Sequence, residues 1–126
     1  MCRLFRNVMR DLVWRWIFAI CIVAILILAL QSNPPRLPAD PSDKIQHMLA
    51  FGVLAFIAPL AFRQTSLLAI GLALSAMGGL IELLQMIPAV RRDSDPGDWL
   101  VDIGAVTAVL LLRRLAGRDT GTSAPG

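Results

Sequence analysis

Charge is scarce in this chain. Asp, Glu, Lys and Arg make up 17% of its 126 residues, where a soluble domain carries about a quarter. The deficit is local. Residues 16–35, 45–62 and 64–81 hold no Asp, Glu, Lys or Arg, and each run approaches the ~20 residues that cross a bilayer core. None of them carries the charged stripe of an amphipathic helix, which excludes a soluble all-helical domain. Cysteine occurs only at positions 2 and 21. Cys21 lies inside the first apolar run, and Ile20 precedes it where a lipoprotein signal requires a small residue. Cys2 lies near the presumed cytoplasmic end, where thiols stay reduced. Neither implies a disulfide or a metal site. No serine or cysteine stands in a nucleophile constellation, which disfavours covalent catalysis, and no internal repeat is present. The N-terminus carries Arg3, Arg6, Arg10 and Arg15 before an apolar stretch, as a secretory signal does. Its exit, "LALQSNPPRLP", lacks a small-x-small cleavage pattern, so it reads as an uncleaved first membrane helix.

What is present is a set of apolar helices separated by charge. The pattern predicts an all-α, polytopic membrane protein of about four transmembrane helices, over residues 13–30, 44–62, 65–87 and 98–112. A basic N-terminal segment, 1–12, precedes the membrane domain of residues 13–112, and a polar tail, 113–126, follows it. The connector "QSNPPRLPADPSD" is too rich in proline to be helical throughout. The fourth helix is short: it spans roughly 21 Å at 1.5 Å per residue, so Arg113 and Arg114 are expected to snorkel at its end.

Orientation follows from Lys and Arg. With four spans, Arg3, Arg6, Arg10, Arg15, Arg63, Arg113, Arg114 and Arg118 share one side; Arg36, Lys44, Arg91 and Arg92 share the other. The first side is expected to be cytoplasmic, with both termini inside, in a bacterial inner membrane. The sequence pI near 9.7 thus reflects orientation rather than nucleic-acid binding, and no nucleic-acid partner is expected.

The acids sort unevenly across this frame. Asp40, Asp43, Asp93, Asp95, Asp98 and Asp102 fall at or near the outer face. Glu82 lies roughly 9 Å below the outer end of its helix. His47, the single histidine, enters the second helix one turn from the same face. Ionisable residues of three helices therefore gather at one depth. On the third helix Gly71, Ser75, Gly78 or Gly79, Glu82 and Gln85 recur at helical spacing. Such a stripe of small and polar residues faces other helices, because small residues permit close approach and polar ones bond across the contact. A charge at mid-bilayer costs about 2.5–3.5 kcal/mol, so Glu82 needs a partner, a proton or water; Lys44, His47, Arg91 and Arg92 are the expected partners. Asp93 and Asp95 read as solvated loop charges. Trp14, Trp16 and Trp99 read as interfacial anchors.

Three functions fit this cluster. Lys44, His47, Arg91 and Arg92 above a carboxylate suit an anionic headgroup. A membrane-embedded hydrolase would use His47 or Glu82 as general base, with Asp98 and Asp102 holding a divalent ion. Ion or proton movement through Glu82 and Asp102 is the third; four short helices leave little room for alternating access unless the protein forms a homo-oligomer. A purely structural role, with Glu82 in a packing ion pair, stands beside them.

The residues also resemble a known family. "DKIQHMLAFGVLAF", then "GLIELLQ", an arginine-containing loop and "DWLVDIG" are similar to the VanZ-like family of small bacterial membrane proteins, over residues 43–104. The DKxxH motif falls on Asp43, Lys44 and His47. The ExxQ motif falls on Glu82 and Gln85. The loop arginine, counted back six from Asp98, falls on Arg92 rather than Arg91, and the position often occupied by asparagine is Asp102. The family's Pro-Gly-Arg loop is replaced by "PAVRR", and its second-helix tyrosine by Phe51. The resemblance implies a setting at the outer membrane face, since the namesake is associated with resistance to teicoplanin; a housekeeping role in the cell envelope is implied as readily. Together these readings lead to a binding module for an anionic membrane lipid or envelope-precursor headgroup. Lys44 and Arg92 would contact the anion, His47, Glu82 and Gln85 would shape the floor, and Asp98 and Asp102 would orient the basic residues, with Asp43 beside Lys44. No cofactor is expected.

Overall fold

The structure, a computed structural model, describes residues 1–32, 43–92 and 94–119, apart from the side chains of Cys2, Asp43, Arg118 and Asp119. Arg36, Asp40 and Asp93, with most of the proline-rich connector, lie outside the described residues. The described residues form four α-helices, α1 (Cys2–Leu30), α2 (Asp43–Ala61), α3 (Leu67–Gln85) and α4 (Pro96–Asp119). Three of them contain stretches long and apolar enough to cross a membrane: Arg3–Leu30, Lys44–Ala61 and Leu67–Gln85. The apolar stretch of α4 is bounded by Asp98 and Asp102 at one end and Arg113 and Arg114 at the other.

Two boundaries differ from the sequence expectation. Helix α1 begins at Cys2, so the basic residues ahead of the apolar run are helical and continuous with it. "CRLFRNVMRD" contains neither proline nor glycine, and Leu, Arg and Met are good helix formers, so nothing stops the helix where the apolar run stops. Helix α4 spans Pro96–Asp119, 24 residues rather than the short helix expected, or about 36 Å. Arg113 and Arg114 therefore lie within the helix, not at its end. The helix begins two residues earlier than expected, where Asp95 acts as an N-cap residue and Pro96 takes the first helical position that proline favours. The Asp95 carboxylate accepts from the Gly97 amide at 2.8 Å. Helix α3 is capped in the same way by Ser66, whose hydroxyl accepts from the Ala69 amide.

Helix α2 lies at the centre, packed against α1, α3 and α4. Phe51, Leu54, Ala55 and Ala58 form its inward face, meeting Ile70, Leu74 and Ile81 of α3 and Val106 and Leu110 of α4. Between apolar helices in lipid, burial supplies little driving force; close packing and hydrogen bonds do the work. Glycines of α3 make that approach possible. A Cβ on Gly71 would lie 3.3 Å from Leu110, and one on Gly79 the same distance from the Trp99 indole. The indole N–H of Trp99 donates to the Ser75 carbonyl at 2.8 Å, so Trp99 ties α4 to α3 in addition to any interfacial role.

Candidate functional site

The start of α2, the end of α3 and the start of α4 meet at one end of the bundle, and this is where the polar residues collect. His47, Glu82, Gln85, Asp98 and Asp102 are all buried, with Asp102 completely so. Each is placed by a nearby helix terminus or loop. Asp102 sits one turn inside α4 against Gly78 of α3, where a Cβ would lie only 2.9 Å from the carboxylate. That absence of a side chain is what admits a carboxylate between two helices. Both oxygens of Asp102 lie 3.2 Å from His47 Nδ1, and the imidazole is parallel to the Phe51 ring one turn further along α2.

Lys44 bonds Asp98 at 2.9 Å and pairs also with Asp95. Asp98 is buried whereas Lys44 and Asp95 are about half exposed, so the pair forms the rim of the cluster. The Lys44 ammonium and the Gly97 amide, in that order, hold the Asp95 carboxyl below its usual range. Asp95, expected as a solvated loop charge, thus caps α4, pairs with Lys44 and gives its own amide to Glu82.

Glu82 does not pair with Lys44, His47, Arg91 or Arg92, contrary to expectation. Its Oε2 accepts from the Ser94 hydroxyl at 2.9 Å and from the Asp95 amide at 3.1 Å. The ammonium and imidazole expected for it are already bonded to Asp98 and Asp102. Its other oxygen, Oε1, is buried and has no hydrogen-bond partner among the described residues. Gln85 turns the other way and donates to the Ala29 carbonyl at the end of α1, at 2.9 Å. Asp43 falls on the first residue of α2.

Arg91 and Arg92 part company. Arg91 is exposed with φ 51°, the left-handed region that non-glycine residues enter at a cost of about 1–2 kcal/mol. Arg92 is half-buried and lines a cleft of about 170 Å³ between α1 and α2. The cleft wall is mostly apolar, including Ile25, Leu28, Leu49 and Ile81, and His47 lies along it. Arg92 enters no ion pair among the described residues. The same end of the bundle thus holds both a cation beside an apolar cleft and three buried carboxylates. Ser94 and the Ala29 carbonyl were missed by the sequence reading; nothing in local periodicity marks either.

No protein-family model matches the chain, and no curated protein and no solved structure matches it either.

Proposed function

We propose that this chain is a VanZ-like, four-span protein of a bacterial inner membrane that binds an anionic lipid or envelope-precursor headgroup at its outer face. The observation that carries this reading is Arg92, a half-buried guanidinium without an ion-pair partner among the described residues, set at an apolar cleft. A guanidinium presents a planar fork of donors suited to phosphate or carboxylate, and the cleft beside it accommodates apolar atoms attached to such a group. Lys44 contributes less than Arg92, because Asp95 and Asp98 already engage its ammonium. Asp98 and Asp102 hold Lys44 and His47 in place, and Gln85 fastens the cleft wall at Ala29. The family assignment rests on the motifs at Asp43, Lys44, His47, Glu82, Gln85, Arg92 and Asp98, and the outward orientation on the placement of Lys and Arg. With α4 as a fourth span, both termini are cytoplasmic.

The test is titration of the purified protein in mild detergent with short-chain phosphatidic acid and with phosphatidylcholine of the same chain length. Loss of a charge-assisted hydrogen bond of about 1.5–3 kcal/mol predicts that Arg92→Ala weakens phosphatidic acid binding roughly tenfold or more. Arg91→Ala leaves it unchanged, and phosphatidylcholine binds weakly to all three proteins. Equal affinity of wild type and Arg92→Ala for phosphatidic acid would overturn the assignment.

A further inference from the structure

Beneath the rim pair, His47, Glu82 and Asp98 each offer a ligand atom, and these three atoms lie within 4.8 Å of one another. They come from α2, α3 and α4, so the grouping is made by the fold and not by any local sequence motif. Three features separate it from an ordinary buried polar cluster. Glu82 and Asp98 are 6% and 5% exposed, and the Glu82 Oε1 has no hydrogen-bond partner among the described residues. A buried carboxylate oxygen left unbonded is costly, and a cation among these groups would satisfy it. Second, Asp102 engages His47 through Nδ1, which leaves Nε2 as the nitrogen for a ligand. A carboxylate behind a metal-binding histidine fixes its tautomer and ring orientation. Third, the charges do not balance. Glu82, Asp98 and Asp102 are buried while one ammonium, Lys44, bonds to Asp98 alone among them. Buried carboxylates require compensation by a paired cation, a proton or a metal.

We propose that His47, Glu82 and Asp98 form a binding site for one divalent first-row transition metal ion of the Zn²⁺ type, with Asp102 as the positioning residue for His47. The donor set decides the class. One imidazole with two carboxylates suits Zn²⁺, Mn²⁺ or Co²⁺, whereas Mg²⁺ and Ca²⁺ favour all-oxygen shells. Bond lengths of about 2.0–2.2 Å place tetrahedral donors about 3.4 Å apart, so side-chain rotation closes the site without moving a helix. Lys44 keeps one Asp98 oxygen, Oδ1, at 2.9 Å, and the second oxygen has no hydrogen bond among the described residues. Ser94 and the Asp95 amide hold Glu82 through Oε2, leaving Oε1 to the metal. Three protein ligands leave a coordination position open, the arrangement of metal sites that bind or activate an exogenous ligand. The assignment differs from the pair Asp98 and Asp102 expected for a hydrolase: Asp102 is spent on the histidine. It does not rest on the lipid-binding reading, and it is tested without lipid.

The test uses the full chain in mild detergent, stripped with a chelator and titrated with Zn²⁺ and separately with Co²⁺. One equivalent of Zn²⁺ is expected to bind, and Co²⁺ is expected to give the visible absorption of a low-coordinate N/O site. Glu82→Gln and Asp98→Asn each remove one ligand charge and are expected to weaken binding by ~100-fold or more, at least as much as the ~10–100-fold typical of losing an outer-shell partner. Asp102→Asn retains an acceptor for His47 and should weaken affinity ~10-fold with the Co²⁺ spectrum preserved. Circular dichroism reads folding in every variant. Should Glu82→Gln misfold, Asp98→Asn and the wild-type stoichiometry still decide. Absence of stoichiometric Zn²⁺ binding by the wild type, or unchanged affinity in folded Glu82→Gln and Asp98→Asn, overturns the site.

Discussion

The two ends of the bundle use polar residues in opposite ways. At the end formed by Ala61, Phe62 and Arg63, the polar contacts come from two arginines, one to a backbone carbonyl and one to a carboxylate. Arg15 Nε donates to the Ala61 carbonyl at 3.2 Å and stands 5.8 Å from the Phe62 ring, while Arg63 pairs with Asp11 at 3.0 Å. A cation bonding the last carbonyl of a helix satisfies an orphan acceptor and favours the negative end of its dipole. These contacts fasten α1 to α2 and to the turn that follows, and Arg63 and Asp11 are part exposed. At the opposite end buried acids predominate: Asp98 and Asp102 bond Lys44 and His47 across helices, while Glu82 bonds the Ser94 hydroxyl and the Asp95 amide and Gln85 bonds the Ala29 carbonyl. At the first end the buried Asp11 Oδ1 makes no hydrogen bond but lies 3.0 Å from Arg63 Nε in an ion pair. The other end leaves a carboxylate oxygen unbonded and a guanidinium unpaired among the described residues.

The largest expected effect falls where the acidic end is most deeply built. Asp102→Ala removes one partner of a fully buried pair and should cost about 3–5 kcal/mol, read as a large loss of thermal stability in detergent. Asp102→Asn keeps an acceptor for His47 and should cost about 1 kcal/mol. Equal losses in the two variants would show that the carboxylate charge itself holds the helices. Next comes Gly78→Val, whose Cβ would approach Asp102 to 2.9 Å, and Trp99 and Phe51 to 3.3 and 3.4 Å. Overpacking of this kind costs about 1–3 kcal/mol and separates α3 from α4; Gly52→Ala, with open space around its Cβ, should be tolerated, and a melting comparison distinguishes the two. The smallest effect belongs to the rim. Asp95→Asn weakens a pair in which both side chains are about half exposed, and exposed pairs contribute about 0–1 kcal/mol, so the melting temperature should shift little. A large shift would move Lys44 and Asp95 from the rim into the structural core of the site.

Much of this was legible in the sequence. Four helices follow from apolar runs, and the gathering of Lys44, His47, Glu82, Asp98 and Asp102 at one end follows from counting residues along them. The faces of α3 were readable as well, because Gly78, Glu82 and Gln85 recur at helical spacing and are all buried. The ends of α1 and α4 were not, because charge marks where an apolar run stops, not where a helix does. Nor was the pairing. Periodicity gives the depth of a residue and its face, but two carboxylates on one turn of α4 can exchange partners by a small rotation. Glu82 was expected to meet a cation and meets Ser94 and a loop amide instead. That contact depends on the course of the chain through Arg91, whose positive φ no residue preference announces.

The most direct test of the contrast between the two ends is native mass spectrometry of the protein extracted in mild detergent, with Arg92→Ala beside Arg15→Ala. Retained anionic lipid and resistance to collision- or heat-induced unfolding are read on each. If the acidic end is a binding site and the basic end a fastening, Arg92→Ala loses the lipid and keeps wild-type resistance, while Arg15→Ala keeps the lipid and unfolds more easily. Lipid retained equally by wild type and Arg92→Ala, or a loss of resistance in Arg92→Ala as large as that in Arg15→Ala, would contradict the account.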